Sequence, residues 1–232
     1  LTANAFTRTG YTFQGWATSA SGAVAHADKA SVKNLTATAN GTVNLYAVWT
    51  ANPYTVTFDA NGGTGAAMAA QDFAYGTAQN LPAVGYARTG YTFLGWSTNP
   101  KATAAMYADG ASVSNLATGG TLKLYAVWRP NTCTVRFLPN GAAGTMADQK
   151  LTYDTAAKLT ANAFTKAGFG FVGWCAEGET AVGYTNRQEV INLATDDGAV
   201  VTLSAKWTDT WYVDAVNGND ANEGVSSAQS FK

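Results

Sequence analysis

Tyr54, Val56 and Phe58 alternate with Thr55 and Thr57. A period of two built from aromatic and β-branched residues predicts a strand. Asn61-Gly62-Gly63 then supplies a turn, since these residues tolerate positive φ. Asp72-Phe-Ala-Tyr75 and, further on, Lys150-Leu-Thr-Tyr153 read as returning hairpin partners. Brief apolar segments around Leu81 and Leu159 follow, too short and interrupted for a long helix; one or two helical turns are expected of each. Tyr91-Thr-Phe93 predicts a second strand, and Gly95 before Trp96 predicts a bulge that re-aims the indole. The last strand holds Leu, Ala and Trp in one phase, as at Leu203, Ala205 and Trp207, while its alternate positions change from Tyr125 and Val127 to Ser204 and Lys206. One face therefore meets a core and the other is at least partly wet.

These landmarks recur. Gly10-Tyr-Thr-Phe-Gln-Gly-Trp16, Gly90-Tyr-Thr-Phe-Leu-Gly-Trp96 and Gly168-Phe-Gly-Phe-Val-Gly-Trp174 place their Trp residues 80 and 78 apart. The closing strands Leu45-Tyr-Ala-Val-Trp49, Leu124-Tyr-Ala-Val-Trp128 and Leu203-Ser-Ala-Lys-Trp207 are 79 apart, as are Phe58 and Phe137. Three landmarks at one period define a tandem repeat. Leu1-Thr-Ala-Asn-Ala-Phe-Thr7 matches residues 159–165 letter for letter, so the first unit starts mid-repeat. The organisation is a truncated repeat at 1–53, full repeats at 54–131 and 132–210, and a different stretch at 211–232; the chain reads as a piece of something longer. The joints Thr50-Ala-Asn-Pro53, Arg129-Pro130-Asn131 and Thr208-Asp209-Thr210 are short, and two carry proline, which fixes φ. They predict a semi-rigid array. Both Trp residues of each repeat are expected to be core pillars, because large aromatics offset the small size of a 78-residue unit.

Composition narrows the function classes. Charged residues are 12% of 232, hydrophobic ones 47% and aromatic ones 12%. The aromatic load excludes a disordered tail. A net charge of -1 gives no global pull on nucleic acid or anionic lipid. No apolar run approaches the roughly 20 residues of a membrane span.

The blocks Thr55-Val-Thr-Phe-Asp-Ala-Asn-Gly-Gly63, Gly90-Tyr-Thr-Phe-Leu-Gly-Trp96 and Leu124-Tyr-Ala-Val-Trp128 resemble the Listeria–Bacteroides repeat, also called the internalin B-type B repeat. Repeat 3 departs from the pattern at Leu138-Pro139 and Phe169-Gly170. The resemblance implies an α+β, β-rich fold of tandem small β-grasp-like (ubiquitin-like) domains in an elongated array. It also implies a secreted or wall-attached bacterial protein in which such repeats act as spacers or adhesion modules. Residues 211–232, from Trp211-Tyr-Val-Asp214 to Ser230-Phe-Lys232, look like the opening of a parallel β-helix domain.

Candidate chemistry is sparse. His26 is the single histidine and its frame-mates are not His, so it reads as a loop residue rather than a catalytic or metal-binding one. Asp59-Ala-Asn61-Gly62 reads as a turn before a calcium loop, since Leu138 replaces Asp59 in repeat 3. Asp214, Asn217, Asn219, Asp220 and Asn222 could supply oxygen ligands but lack EF-hand spacing. Arg8, Arg88 and Lys166 put one cation at the same place in each repeat; they read as solvated charges, with multivalent contact to polyanions as the alternative. Asn34-Leu-Thr36 and Asn40-Gly-Thr42 match glycosylation sequons without meaning in most bacteria. Cys133 and Cys175 share a repeat; in a β-grasp they would sit on strands that are not neighbours, which argues against a bridge.

No catalytic, cofactor-binding or metal residue and no cofactor is therefore expected. The reading is a non-enzymatic spacer or adhesion segment of a bacterial surface or secreted protein, displaying a terminal domain. The alternatives are a ligand-binding module for host glycans or proteins, and an accessory region of a secreted carbohydrate-active enzyme. Partners are expected to be a host or surface ligand, not nucleic acid, with no membrane insertion. Because repeat 1 lacks an opening strand, its closing strand from Leu45 to Trp49 should present an unpaired edge, inviting self-association.

Overall fold

The computed structural model describes residues 1–209. Contacts group them into two compact units, one of 1–87 with 93–127 and the other of 88–92 with the chain from Trp128. Repeat 1 supplies β1 (Tyr11–Ala17) and β2 (Tyr46–Ala51). Repeat 2 supplies β3 (Pro53–Asp59), β4 (Gln71–Ala74), β5 (Gln79–Asn80), β6 (Tyr91–Ser97), β7 (Ser112–Val113) and β8 (Gly120–Pro130). Repeat 3 supplies β9 (Thr132–Leu138), β10 (Gln149–Thr152), β11 (Ala157–Lys158), β12 (Phe169–Ala176), β13 (Glu189–Val190) and β14 (Val200–Asp209).

Repeats 2 and 3 form four-stranded sheets of order β4-β3-β8-β6 and β10-β9-β14-β12. Opening and closing strands pair in parallel, with Phe58 opposite Leu124 and Phe137 opposite Leu203. A two-stranded ladder, β5 with β7 or β11 with β13, accompanies each sheet. In repeat 1, β1 and β2 pair alone.

The described residues contain no helix, which corrects the expected α+β, β-grasp-like class to all-β. The segments at Leu81 and Leu159 are extended. The Leu81 N–H donates to the Ala111 carbonyl and the Leu159 N–H to the Gln188 carbonyl, both at 2.9 Å. The Val84 N–H donates to the Asp109 carboxylate (2.8 Å) and the Asn162 N–H to Asn186 Oδ1 (2.9 Å). Donors taken by partners more than 20 residues away leave no i to i+4 ladder for a helical turn.

The core follows the alternation. Tyr54, Val56, Leu124 and Ala126 are buried in repeat 2, and Val135, Phe137, Leu203 and Ala205 in repeat 3. Trp96 and Trp174 are fully buried, whereas Trp16, Trp49 and Trp207 are half-buried. Trp96 meets Phe58 at 5.0 Å between centroids and Trp174 meets Phe137 at 4.8 Å. The strand register shifts between Phe13 and Gly15 and between Phe171 and Gly173. This bulge turns the indole inward, and it needs glycine: a Cβ on Gly95 would collide with the Tyr107 carbonyl at φ +133°.

Candidate functional site at the repeat joints

Among the described residues the most elaborate polar construction lies where one repeat hands over to the next. A single residue, Asn52, separates β2 from β3, and a single residue, Asn131, separates β8 from β9. Both asparagines stand three places after a closing Trp, a recurrence legible in the sequence.

In the first unit Asn52 uses all four of its polar groups. Its N–H donates to the Gly10 carbonyl (2.9 Å), and its Oδ1 accepts from the Thr12 hydroxyl (2.6 Å). Its Nδ2 donates to the Thr118 carbonyl (3.0 Å), and its own carbonyl accepts from the Tyr75 N–H (3.0 Å). Two bonds reach back to repeat 1 and two reach forward to repeat 2. Beside them the Tyr11 and Tyr75 rings meet edge to face at 5.7 Å, and Arg8 lies 3.7 Å over the Tyr11 ring. Gly10 adopts φ +74° and sits against the Tyr75 ring, leaving no room for a Cβ.

The second unit repeats the arrangement. Asn131 donates to the Gly90 carbonyl (2.8 Å) and the Thr195 carbonyl (2.7 Å). It accepts from the Thr92 hydroxyl (2.6 Å) and the Tyr153 N–H (2.9 Å). Tyr91 meets Tyr153 at 5.9 Å, Arg88 lies 3.7 Å over Tyr91, and Gly90 sits against the Tyr153 ring.

Here an electrostatic layer is added. The Tyr91 hydroxyl donates to Asp154 (2.9 Å), whose other oxygen accepts from the Asn192 amide (2.9 Å). The Asn192 and Tyr91 hydrogen bonds hold the exposed Asp154 carboxyl below its ordinary pKa, and donation to Asp154 pushes the Tyr91 hydroxyl above its own. Asp197 accepts from the Thr132 N–H (2.9 Å) and pairs with Arg129 (2.7 Å); these bonds, the backbone one first, also lower its carboxyl.

The other sequence candidates do not converge. The His26 backbone bridges to Trp16, as Tyr107 bridges to Trp96 and Tyr184 to Trp174. Asp59 accepts from the Asn61 N–H (2.9 Å) and faces Lys123 at 3.5 Å, closing a turn. Asn34 and Asn40 occupy exposed left-handed turns. Lys166 lies 4.5 Å over the Phe169 ring, so each of the three repeat cations is stacked on its own aromatic. Cys133 on β9 and Cys175 on β12 are buried free thiols with β14 between their strands, and burial raises the Cys133 pKa. Among the described residues no group of three or more His, Cys, Asp or Glu is placed to hold a metal. A depression of about 410 Å³ beside Tyr184, Gln188, Glu189 and Ile191 presents one carboxylate and no nucleophile with a base. Asp214, Asn217, Asn219, Asp220 and Asn222, and the expected β-helix opening at 211–232, lie outside the described residues.

Residues 1–48, 54–127 and 134–206 match the model of the Listeria-Bacteroides repeat domain. The chain belongs to the Listeria-Bacteroides repeat family. Two similar proteins of Evansella cellulosilytica carry membrane-protein names, the second also named Gly-rich. The first is 28% identical over 182 residues, covering 78% of this chain and 25% of its own length. The second is 34% identical over 141 residues, covering 59% of this chain and 16% of its own length. The chain thus spans a quarter or less of the length of either relative.

Proposed function

We propose that this Listeria-Bacteroides repeat segment is a non-catalytic spacer of a bacterial cell-surface protein, carrying a domain displayed to the exterior. The observation that supports it is the joint. Asn52 satisfies every one of its polar groups across the boundary between repeats 1 and 2, in a one-residue connection. Polar density of this kind at a boundary supports mechanical continuity over ligand capture, since each polar group of the joint asparagine, backbone and side chain, already holds a partner in a neighbouring repeat. The stacking of Arg8, Arg88 and Lys166 on aromatic rings favours the same reading over glycan binding through these cations.

Amide ¹⁵N relaxation of the whole chain tests the reading. Repeats 1 and 2 should share one rotational correlation time, and Asn52→Gly should split it. Independent tumbling in the unaltered chain overturns the spacer proposal. Hydrolysis of a polysaccharide panel, abolished by substituting a residue within 1–209, overturns the non-catalytic part. Saturable binding on a glycan array, lost on changing Arg8 and Arg88, would move the assignment to adhesion.

A further inference from the structure

In each full repeat the chain enters on one strand and leaves on its neighbour. Repeat 2 begins with β3 at Pro53 and ends with β8 at Pro130, while repeat 3 begins with β9 at Thr132 and ends with β14 at Asp209. The two strands are parallel in both repeats. In repeat 2 the ladder runs from Tyr54 opposite Gly120 to Asp59 opposite Tyr125. In repeat 3 it runs from Thr134 opposite Val200 to Leu138 opposite Ser204. Parallel entry and exit strands fix the direction of any pull passed along the chain. Tension draws β3 back from its start and β8 forward from its end, so the two strands are pulled in opposite senses along their shared ladder. Hydrogen bonds sheared in this way resist together, whereas a pull across the strands opens them one at a time.

Asparagine side chains fasten both ends of the ladder. At its start, Asn52 Nδ2 donates to the Thr118 carbonyl (3.0 Å) and Asn131 Nδ2 to the Thr195 carbonyl (2.7 Å). At its far end, Asn61 Nδ2 donates to the Ala126 carbonyl (2.8 Å) and Asn140 Nδ2 to the Ala205 carbonyl (2.9 Å). Between them in repeat 2, the Thr57 hydroxyl donates to the Leu122 carbonyl (3.4 Å) and Lys123 faces Asp59 at 3.5 Å. The ladder is also the middle of its sheet. β4 covers the other edge of β3 and β6 that of β8, as β10 and β12 do in repeat 3. Val56, Leu124, Val135 and Leu203 are fully buried on its inner face. Neighbouring strands and core side chains thus keep water from replacing the ladder bonds as they stretch.

We propose that repeats 2 and 3 are tension-bearing modules, each clamped by the parallel ladder between its opening and closing strands and unfolding only when that ladder shears. Residues 60–119 of repeat 2 lie inside the loop that the ladder closes, so they are released only once it fails. Tension arises where the segment stands between an anchored end and a displayed domain, so this role rests on the spacer reading and adds to it a defined mechanical element.

Single-molecule pulling on the full chain tests the clamp through direction. Handles at positions 53 and 130 load the β3–β8 ladder in shear, and handles at positions 53 and 121 draw apart the adjacent starts of the same strands. Both should release about 230 Å, the extended length of the enclosed chain less its folded span. At one loading rate the shear pair should need at least about twice the force, because the ladder bonds yield together rather than singly. Asn61 adopts φ +47°, which glycine accepts, so Asn61→Gly removes the far-end fastening without straining the turn. It should lower the shear force and leave the force across the strands, set at the near end, almost unchanged. Equal forces in the two directions overturn the clamp, and so does a first shear step well short of 230 Å. An Asn61→Gly chain weakened equally in both directions overturns it too, since general loss of stability would then set the force. Equal forces with shared tumbling of repeats 1 and 2 remove the clamp alone, whereas unequal forces with independent tumbling remove the spacer reading.

Discussion

Gly10 faces the ring of Tyr75 so closely that no Cβ fits between them, and it does so at a positive φ of +74°. The glycine that opens the Gly-Tyr-Thr-Phe motif of repeat 1 is thus shaped by a tyrosine of repeat 2. Gly10→Ala should cost about 1 kcal/mol for the left-handed backbone and a further 1–3 kcal/mol or so for overpacking. Gly110→Ala, at φ +64° with open space around it among the described residues, should cost the backbone part alone. Chemical denaturation of the two variants separates the terms. Equal losses would remove the ring contact from the account.

Asn131 is 8% exposed and holds four hydrogen bonds. Asn131→Ala strands the Thr195 carbonyl and the Thr92 hydroxyl, at about 1–3 kcal/mol for a buried unsatisfied group. Asn131→Asp keeps the acceptor for Thr92 but turns a carboxylate toward the Thr195 carbonyl, and should recover little of the loss. Urea unfolding of both variants checks this; an aspartate variant as stable as the parent would show that the Nδ2 bond contributes nothing.

Asp154 and Asp197 have folded pKa values below the ordinary 3.8. Each favours the folded state while ionised, so the contribution is complete above about pH 3.8 and is lost as pH falls through the lowered folded value. Tyr91 has the opposite sign. Its pKa is raised above 10.0, so its contribution is present below pH 10 and fades as pH climbs through the folded value. Stability followed between pH 2 and pH 11 should fall at both ends. Asp154→Asn should flatten the acid limb in part, and Tyr91→Phe should flatten the alkaline one. An unchanged profile in Tyr91→Phe would place the alkaline loss elsewhere.

The buried Trp96 is surrounded by Phe58, Tyr86 and Phe93. Trp96→Ala should cost about 3–5 kcal/mol. Trp16→Ala, at the half-buried equivalent in repeat 1, should cost less than half of that. Residue-level hydrogen exchange reads each repeat separately. Equal costs would mean that the cover supplied by the opening strand does not matter to the indole.

Much of this was legible in the chain. The alternation at Tyr54, Val56 and Phe58 marks β3, the Leu-x-Ala-x-Trp phase marks the closing strands, and Gly95 before Trp96 marks the bulged strand. The segments at Leu81 and Leu159 were not, because a short apolar run carries no period of its own. There the run itself led to an expectation of one or two helical turns, and the decisive facts are hydrogen bonds to Ala111 and Gln188, about 30 residues away. The joint was half legible. Its prolines were conspicuous, yet the residue that does the work is the asparagine beside them. Its partners Gly10, Thr12 and Thr118 are contacts that local sequence cannot encode. Arg8 and Arg88 show the same limit: their recurrence is visible, but the tyrosine faces they cover are not.

The one-residue connection also constrains how such a chain can lengthen or shorten through duplication. Each joint takes a Gly-Tyr-Thr turn from upstream and a tyrosine and a threonine carbonyl from downstream, with one asparagine between. A full repeat carries both halves, so gain or loss of a whole 79-residue period rejoins matching halves wherever the break falls. An insertion of even one residue beside Asn52 or Asn131 would flip the alternation of the following strand and turn its core residues outward. The tolerated currency of change is the complete period, which makes repeat number, rather than linker length, the variable by which this architecture can be adjusted.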